Sequence, residues 1–119
     1  MNLFLAIPLF ISGPILAIIG YVFKKSPPPE INRWVGYRTA SSRRNADTWA
    51  TANAYAANLM LLGGGVFILL GLISLVLPNM GITGVYIGQG LIIGFLIIII
   101  VATEMHLNKT FDKNGNRRV

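Results

Sequence analysis

Two long stretches of the chain carry no charged side chain, residues 1–23 and residues 48–103. Neither stretch shows the regular return of polar residues that marks an amphipathic surface helix; both are apolar nearly all round. A helix needs about 20 such residues to cross a hydrocarbon layer about 30 Å thick. The first stretch therefore holds one span and the second holds two, separated at the turn sequence Pro78-Asn79-Met80-Gly81. With no water available to the backbone in lipid, runs of this kind satisfy their own N–H and C=O groups as helices. The pattern predicts an all-α integral membrane protein with three transmembrane helices.

The second helix is expected to outgrow its span. Residues 42–77 lack proline, and 36 residues at 1.5 Å each make about 54 Å, more than the hydrocarbon layer holds. Residues 59–77 suffice to cross, whereas residues 42–58 are rich in Ala, Asn and Thr. The expectation is an interfacial or cytoplasmic helical extension preceding the second span. Ser41 or Ser42 would cap it, Asp47 would face the positive end of its dipole, and Gly63-Gly64-Gly65 would admit a bend or a close neighbour. One membrane domain then comprises a first span at 2–23, a cytoplasmic loop at 24–41, the extension and second span at 42–77, a third span at 85–107 and a mobile basic tail at 108–119.

Composition agrees with this division. Of the 119 residues 54% are hydrophobic and 12% charged, and the mean hydropathy is +0.64, far from a soluble average. The net charge of +6 would suggest nucleic acid were it not for its placement. Lys24, Lys25, Arg33, Arg38, Arg43 and Arg44 follow the first span, and Lys109, Lys113, Arg117 and Arg118 follow the third. The N-terminus and the turn after the second span carry none. By the positive-inside bias the charged side is cytoplasmic and the N-terminus outside, giving a multi-pass membrane protein. The charge is then explained by topology and attraction to the lipid bilayer, with no nucleic acid partner.

Catalytic and metal chemistry find little support. There is no cysteine and one histidine, and Glu104 and His106, two apart on a helix, point to different faces. No catalytic residue, metal ligand or cofactor is assigned, and the protein is expected not to be an enzyme.

Small residues mark helix contacts. Gly13, Ala17 and Gly20 form a stripe on the first span, whose Pro8 and Pro14 predict a kink. The third span carries Gly84-x-x-x-Gly88 and Gly90-x-x-x-Gly94, suited to contact within the chain or across a homodimer.

Between the first two spans lies the segment with the densest chemistry. Pro27-Pro28-Pro29 predicts a stiff exit from the membrane. Trp34, Val35 and Tyr37 then alternate with Arg33, Gly36 and Arg38, rings beside guanidinium groups as the headgroup layer favours. Asn45, Trp49, Asn53 and Ala56 share one face of the helical extension, able to turn back onto this loop. Arg38 is permanently charged and needs an anion, to be found in Glu30, Asp47, Glu104 or a lipid phosphate, with Tyr37 and Trp49 shielding the contact.

In order and spacing, Asn32, Gly36-Tyr37-Arg38-Thr39, Ser42, Asn45, Trp49 and Ala52-Asn53 resemble the signature of the SdpI family of small bacterial membrane proteins. The resemblance implies immunity to a secreted, membrane-active toxin, in a short three-helix form. Asn32, Gly36, Tyr37, Arg38, Thr39, Ser42, Asn45, Trp49 and Asn53 are the candidate anion- or headgroup-binding set, with Glu104 a charge partner. Three functions stay open: protection against a peptide toxin by non-catalytic binding, a membrane adaptor recruiting a cytoplasmic protein, and a small oligomeric transporter or lipid-handling subunit.

Overall fold

The computed structural model describes residues 1–32 and 34–118, so Arg33 and Val119 lie outside the described residues. Three helices follow in order, α1 (Leu3–Lys25), α2 (Ala46–Ser74) and α3 (Ile82–Thr110). All three are long and apolar enough to cross a membrane, with mean hydropathies of 2.3, 2.2 and 2.6 over their most apolar stretches. They run up, down and up in a bundle 52 Å long. The start of α1 and the turn between α2 and α3 share one end. The loop between α1 and α2 and the segment after α3 share the other, which carries every described Lys and Arg and is called here the basic end.

α1 is one helix through both prolines. Pro8 brings no N–H for the carbonyl of residue 4, and its own carbonyl also accepts the Ser12 hydroxyl at 2.8 Å. The small-residue stripe is where α1 meets α2. A Cβ on Gly20 would stand 2.6 Å from the Leu61 nitrogen, and one on Gly64 would stand 2.5 Å from the Ala17 nitrogen. Real Cβ atoms do not come so close, and only the missing side chains allow the two backbones to touch. Leu5, Leu9, Leu16 and Phe67 fill the layer beside this seam, with Phe95 of α3 edge-on to Phe67 at 5.4 Å between ring centroids.

The three consecutive glycines of α2 do separate things without bending it. A Cβ on Gly63 would collide with Phe95, Gly64 receives α1, and Gly65 faces open space. The glycine pairs of α3 divide in the same way. Gly84 and Gly88 receive Leu5 and Pro8 of α1, whereas Gly90 and Gly94 have nothing within 4 Å. α1 and α3 thus touch at the end opposite the basic one.

α2 starts later than residue 42. Asn45 is extended (φ −159°), its Oδ1 accepts the Thr48 N–H at 2.8 Å, and Thr48 Oγ1 accepts the Asn45 N–H at 3.0 Å. This reciprocal capping box fixes the first turn at Ala46 and displaces Ser41 and Ser42 from the cap. Those serines belong to a preceding turn, where Ser42 N–H donates to Thr39 Oγ1 and Arg43 N–H to the Thr39 carbonyl. At 29 residues α2 is about 43 Å long, so it still outreaches the hydrocarbon layer.

Residues 111–118 are folded, against the expectation of a mobile tail. Phe111 is 1% exposed and pairs with Arg117 in an antiparallel bridge. Asp112 Oδ1 accepts the N–H groups of Asn114 and Asn116, and Gly115 takes a left-handed conformation (φ +81°). Asp-Lys-Asn-Gly is thus a tight turn closed by its own first side chain.

Candidate functional site

The loop of residues 26–45 closes over the basic end of the bundle, and nearly every residue of the signature has a structural reason to be there. Asn32 Oδ1 accepts two backbone N–H groups, from Trp34 at 2.9 Å and Val35 at 2.7 Å, turning the chain back toward the bundle. Gly36 follows with φ +108°, and a Cβ there would stand 2.6 Å from Asn53 Oδ1 and 3.2 Å from the Trp49 ring. Both the conformation and the space demand glycine.

Tyr37 is then pinned twice. Its backbone N–H donates to Asn53 Oδ1 at 2.7 Å, and its carbonyl accepts Asn53 Nδ2 at 3.3 Å, so one buried carboxamide completes both backbone groups as a paired strand would. Its hydroxyl donates to Glu104 Oε1 of α3 at 2.8 Å and also faces the Ile100 carbonyl at 3.3 Å. Burial, followed by the neighbouring Glu104 carboxylate, pushes the Tyr37 phenol above its ordinary value, so it stays a donor. The Thr39 and Ser41 side chains and the Arg44 guanidinium also neighbour this carboxylate.

Ser42 is fully buried, and its hydroxyl reaches the carbonyls of Tyr37 at 3.1 Å and Thr39 at 2.9 Å. Thr48 in turn donates to the Ser42 carbonyl at 3.0 Å. Trp49, 1% exposed, donates its indole N–H to the Pro28 carbonyl at 2.9 Å. The proline run is therefore a strap laid over the start of α2, held by Trp49 and by the contact of Pro28 with Gly36, and not a free spacer.

Arg38 behaves differently. Its side chain is exposed, and among the described residues no hydrogen bond or ion pair engages it. The expected pairing with Glu104 is not formed, because adjacent residues of an extended segment point to opposite sides and Tyr37 has taken the inward place. Asp47 is taken as well: Arg117 grips it with Nε and Nη2 each at 2.8 Å. Trp49 lies beneath Pro28 and shields no arginine contact. Of the candidate set, the structure brings Gly36, Tyr37, Thr39, Ser42, Trp49 and Asn53 into one network around the loop, places Asn32 at its entry and Asn45 at its exit, and leaves Arg38 facing outward.

The segment after α3 completes the basic end and was missed in the sequence. Asn45 Nδ2 donates to the Gly115 carbonyl at 2.7 Å, and Arg44 Nη1 to the Asp112 carbonyl at 3.2 Å. Phe111 packs with Leu107 against Ala52, and the Arg117 guanidinium stands 5.1 Å from the centre of the Phe111 ring. A lone aromatic residue ahead of Asp-x-Asn-Gly was the available signal. Above the network, Trp34 is 86% exposed.

Two comparisons with known proteins match the chain. The model of the SdpI/YfhL protein family covers residues 29–105, which include every signature residue and most of α3. The uncharacterized protein YfhL of Bacillus subtilis (strain 168) is 34% identical over 115 residues, an alignment spanning 90% of this chain and 93% of that protein. No solved structure matches. With the signature residues woven into the loop and a relative of nearly the same length, the chain belongs to the SdpI/YfhL family of membrane proteins.

Proposed function

We propose that this protein protects its membrane against a membrane-active peptide by binding, without catalysis, and that Arg38 is the residue presented to the partner. The observation that carries this reading is the division within the signature. Eight residues are consumed in building a rigid loop, and the ninth, Arg38, is turned out of it. A guanidinium is charged at every accessible pH and presents a planar fork of donors that suits a carboxylate or phosphate. Fixing its backbone in advance reduces the ordering cost of binding. The family resemblance supplies the biological direction. The basic end is taken as cytoplasmic by the positive-inside bias, so protection acts within the bilayer or on its inner face.

The test compares cells lacking the protein with cells carrying the wild type or Arg38→Ala at equal membrane levels, challenged with a panel of membrane-active peptides. The wild type should raise the inhibitory concentration of at least one peptide several-fold, and Arg38→Ala should lose that gain while keeping its thermal stability. Equal sensitivity of the deletion and the wild type to every peptide would overturn the proposal. Thiol labelling of cysteines placed at Ser26 and Asn79 reports the orientation: only the Asn79 position should react with an impermeant reagent from outside.

A second reading has one observation in its favour. Because residues 111–118 are folded onto α2, the basic end is a fixed surface able to dock a cytoplasmic protein. Capture of a soluble protein by a photo-crosslinker at Arg43, lost on Asn45→Ala, would favour it.

A further inference from the structure

Toward the basic end a cavity of about 310 Å³ lies between α1 and α3. Ala56, Ala57 and Met60 of α2 form its floor, Phe23 one wall, and Leu96, Ile99 and Ile100 the other. Gly36 and Tyr37 roof it, with Asn53 beside them. The Tyr37 side chain reaches from this roof to α3, where its hydroxyl donates to Glu104. Its size falls at the lower end of small-molecule pockets, about 300–1,000 Å³.

The chemistry of the lining selects hydrocarbon. Among the described residues the only polar side chains lining it are Tyr37 and Asn53, and both are committed: Asn53 Oδ1 to the Tyr37 N–H, Asn53 Nδ2 to the Tyr37 and Trp49 carbonyls, and the phenol to Glu104. A polar ligand would find no free partner and would lose its hydration. An empty apolar space would forgo the dispersion contacts of its walls. The side wall faces the bilayer, with Leu96 44% and Ile100 49% exposed, so the hydrocarbon nearest to hand is that of the surrounding lipid. An exposed cation follows a lining residue in the chain, Arg38 after Tyr37, and no described acidic side chain pairs with it.

We propose that this cavity is a lipid site that seats one acyl chain of an anionic phospholipid from the leaflet on the basic side, with the phosphate held near Arg38. The site goes beyond the protective reading but shares Arg38 with it; labelling of Met60, Leu96 and Ile100 does not depend on protection, so the two fail separately. Occupancy would fill a gap in the bundle and anchor the basic end at headgroup depth.

The full-length protein is reconstituted in vesicles containing phosphatidylglycerol or phosphatidylcholine with a photoactivatable group midway along one acyl chain, and labelled residues are mapped by mass spectrometry. Labelling should concentrate on Met60, Leu96 and Ile100 and be several-fold stronger with phosphatidylglycerol. Ile100→Trp and Leu96→Trp, both at the exposed wall, should block it, while Ile98→Trp, exposed but outside the cavity, should not. Arg38→Gln should remove the headgroup preference. Labelling spread evenly over the lipid-facing helix surfaces, or unaffected by both blocking variants, would overturn the proposal. So would equal labelling by the two lipids, or labelling of the cavity by an added amphipathic photo-peptide that lipid does not displace.

Discussion

The Tyr37 hydroxyl meets the Glu104 carboxylate over 2.8 Å, joining the loop to α3 across 67 residues of sequence. It ties the far wall of the basic end to the segment that also caps α2, so one hydrogen bond closes a ring of loop, α2 and α3. A hydrogen bond to a charged acceptor is worth about 1.5–3 kcal/mol. Tyr37→Phe should therefore lower the stability of the detergent-solubilised protein by about that amount. Hydrogen exchange should rise in residues 34–42 more than in the middle of α1. An unchanged melting temperature would mean that Asn53 alone holds the loop.

Gly36 gives a sharper backbone test. With φ at +108° and Asn53 Oδ1 only 2.6 Å from where a Cβ would stand, Gly36→Ala meets both strain and collision. Gly65→Ala is the control, since nothing lies within 4 Å there and alanine favours a helix by about 1 kcal/mol over glycine. Gly36→Ala should destabilise the protein by more than about 1 kcal/mol, as expected for strained backbone positions, while Gly65→Ala should be neutral or stabilising. Chemical unfolding in mixed micelles, followed by Trp49 fluorescence, distinguishes them.

The three spans and the location of the signature were legible because lipid imposes a simple rule on the sequence: long uncharged runs become helices. The same simplicity hid the interior of the basic end. Asn53 and Trp49 read as polar and aromatic members of one helix face, but their partners, the Tyr37 backbone and the Pro28 carbonyl, are main-chain groups that no residue pattern names. Arg38 read as the centre because charge is the loudest signal in an apolar chain. The inward place went instead to Tyr37, whose neutral hydroxyl satisfies Glu104 without burying a cation. Ser42 read as a cap by residue type, yet Asn45 with Thr48 offers two reciprocal bonds where a lone serine offers one.

The folded tail carries a pH dependence. The Asn116 backbone N–H, followed by that of Asn114, holds the Asp112 carboxyl below its ordinary value. A depressed carboxylate contributes stability that is present above its unfolded pKa, about 3.9, and is lost as pH falls through the folded value. Residues 111–118 should thus stay protected from exchange at neutral pH and loosen only below about pH 4. Asp112→Asn should loosen them at every pH and remove the acid step. A tail whose protection is flat from pH 7 to pH 3 would refute this account.

The four transmembrane glycines with opposite surroundings make the last test. Gly20 and Gly64 sit where the α1 and α2 backbones touch, and an added side chain would have to push 2.5–2.6 Å contacts apart along the whole seam. Gly90 and Gly94 face open space on α3, the helix with the least protein cover. Gly20→Ile and Gly64→Ile should therefore separate α1 from the bundle, seen as lost compactness on size exclusion and cleavage in the loop of residues 26–45. Gly90→Ile and Gly94→Ile should leave the single chain intact. If these outer variants instead reduce stability in proportion to protein concentration, a second copy packs on α3 in the membrane, because only a contact between chains carries that dependence. If they change neither stability nor apparent size, the outer glycines face lipid and the α1–α2 seam is where small residues hold this fold together.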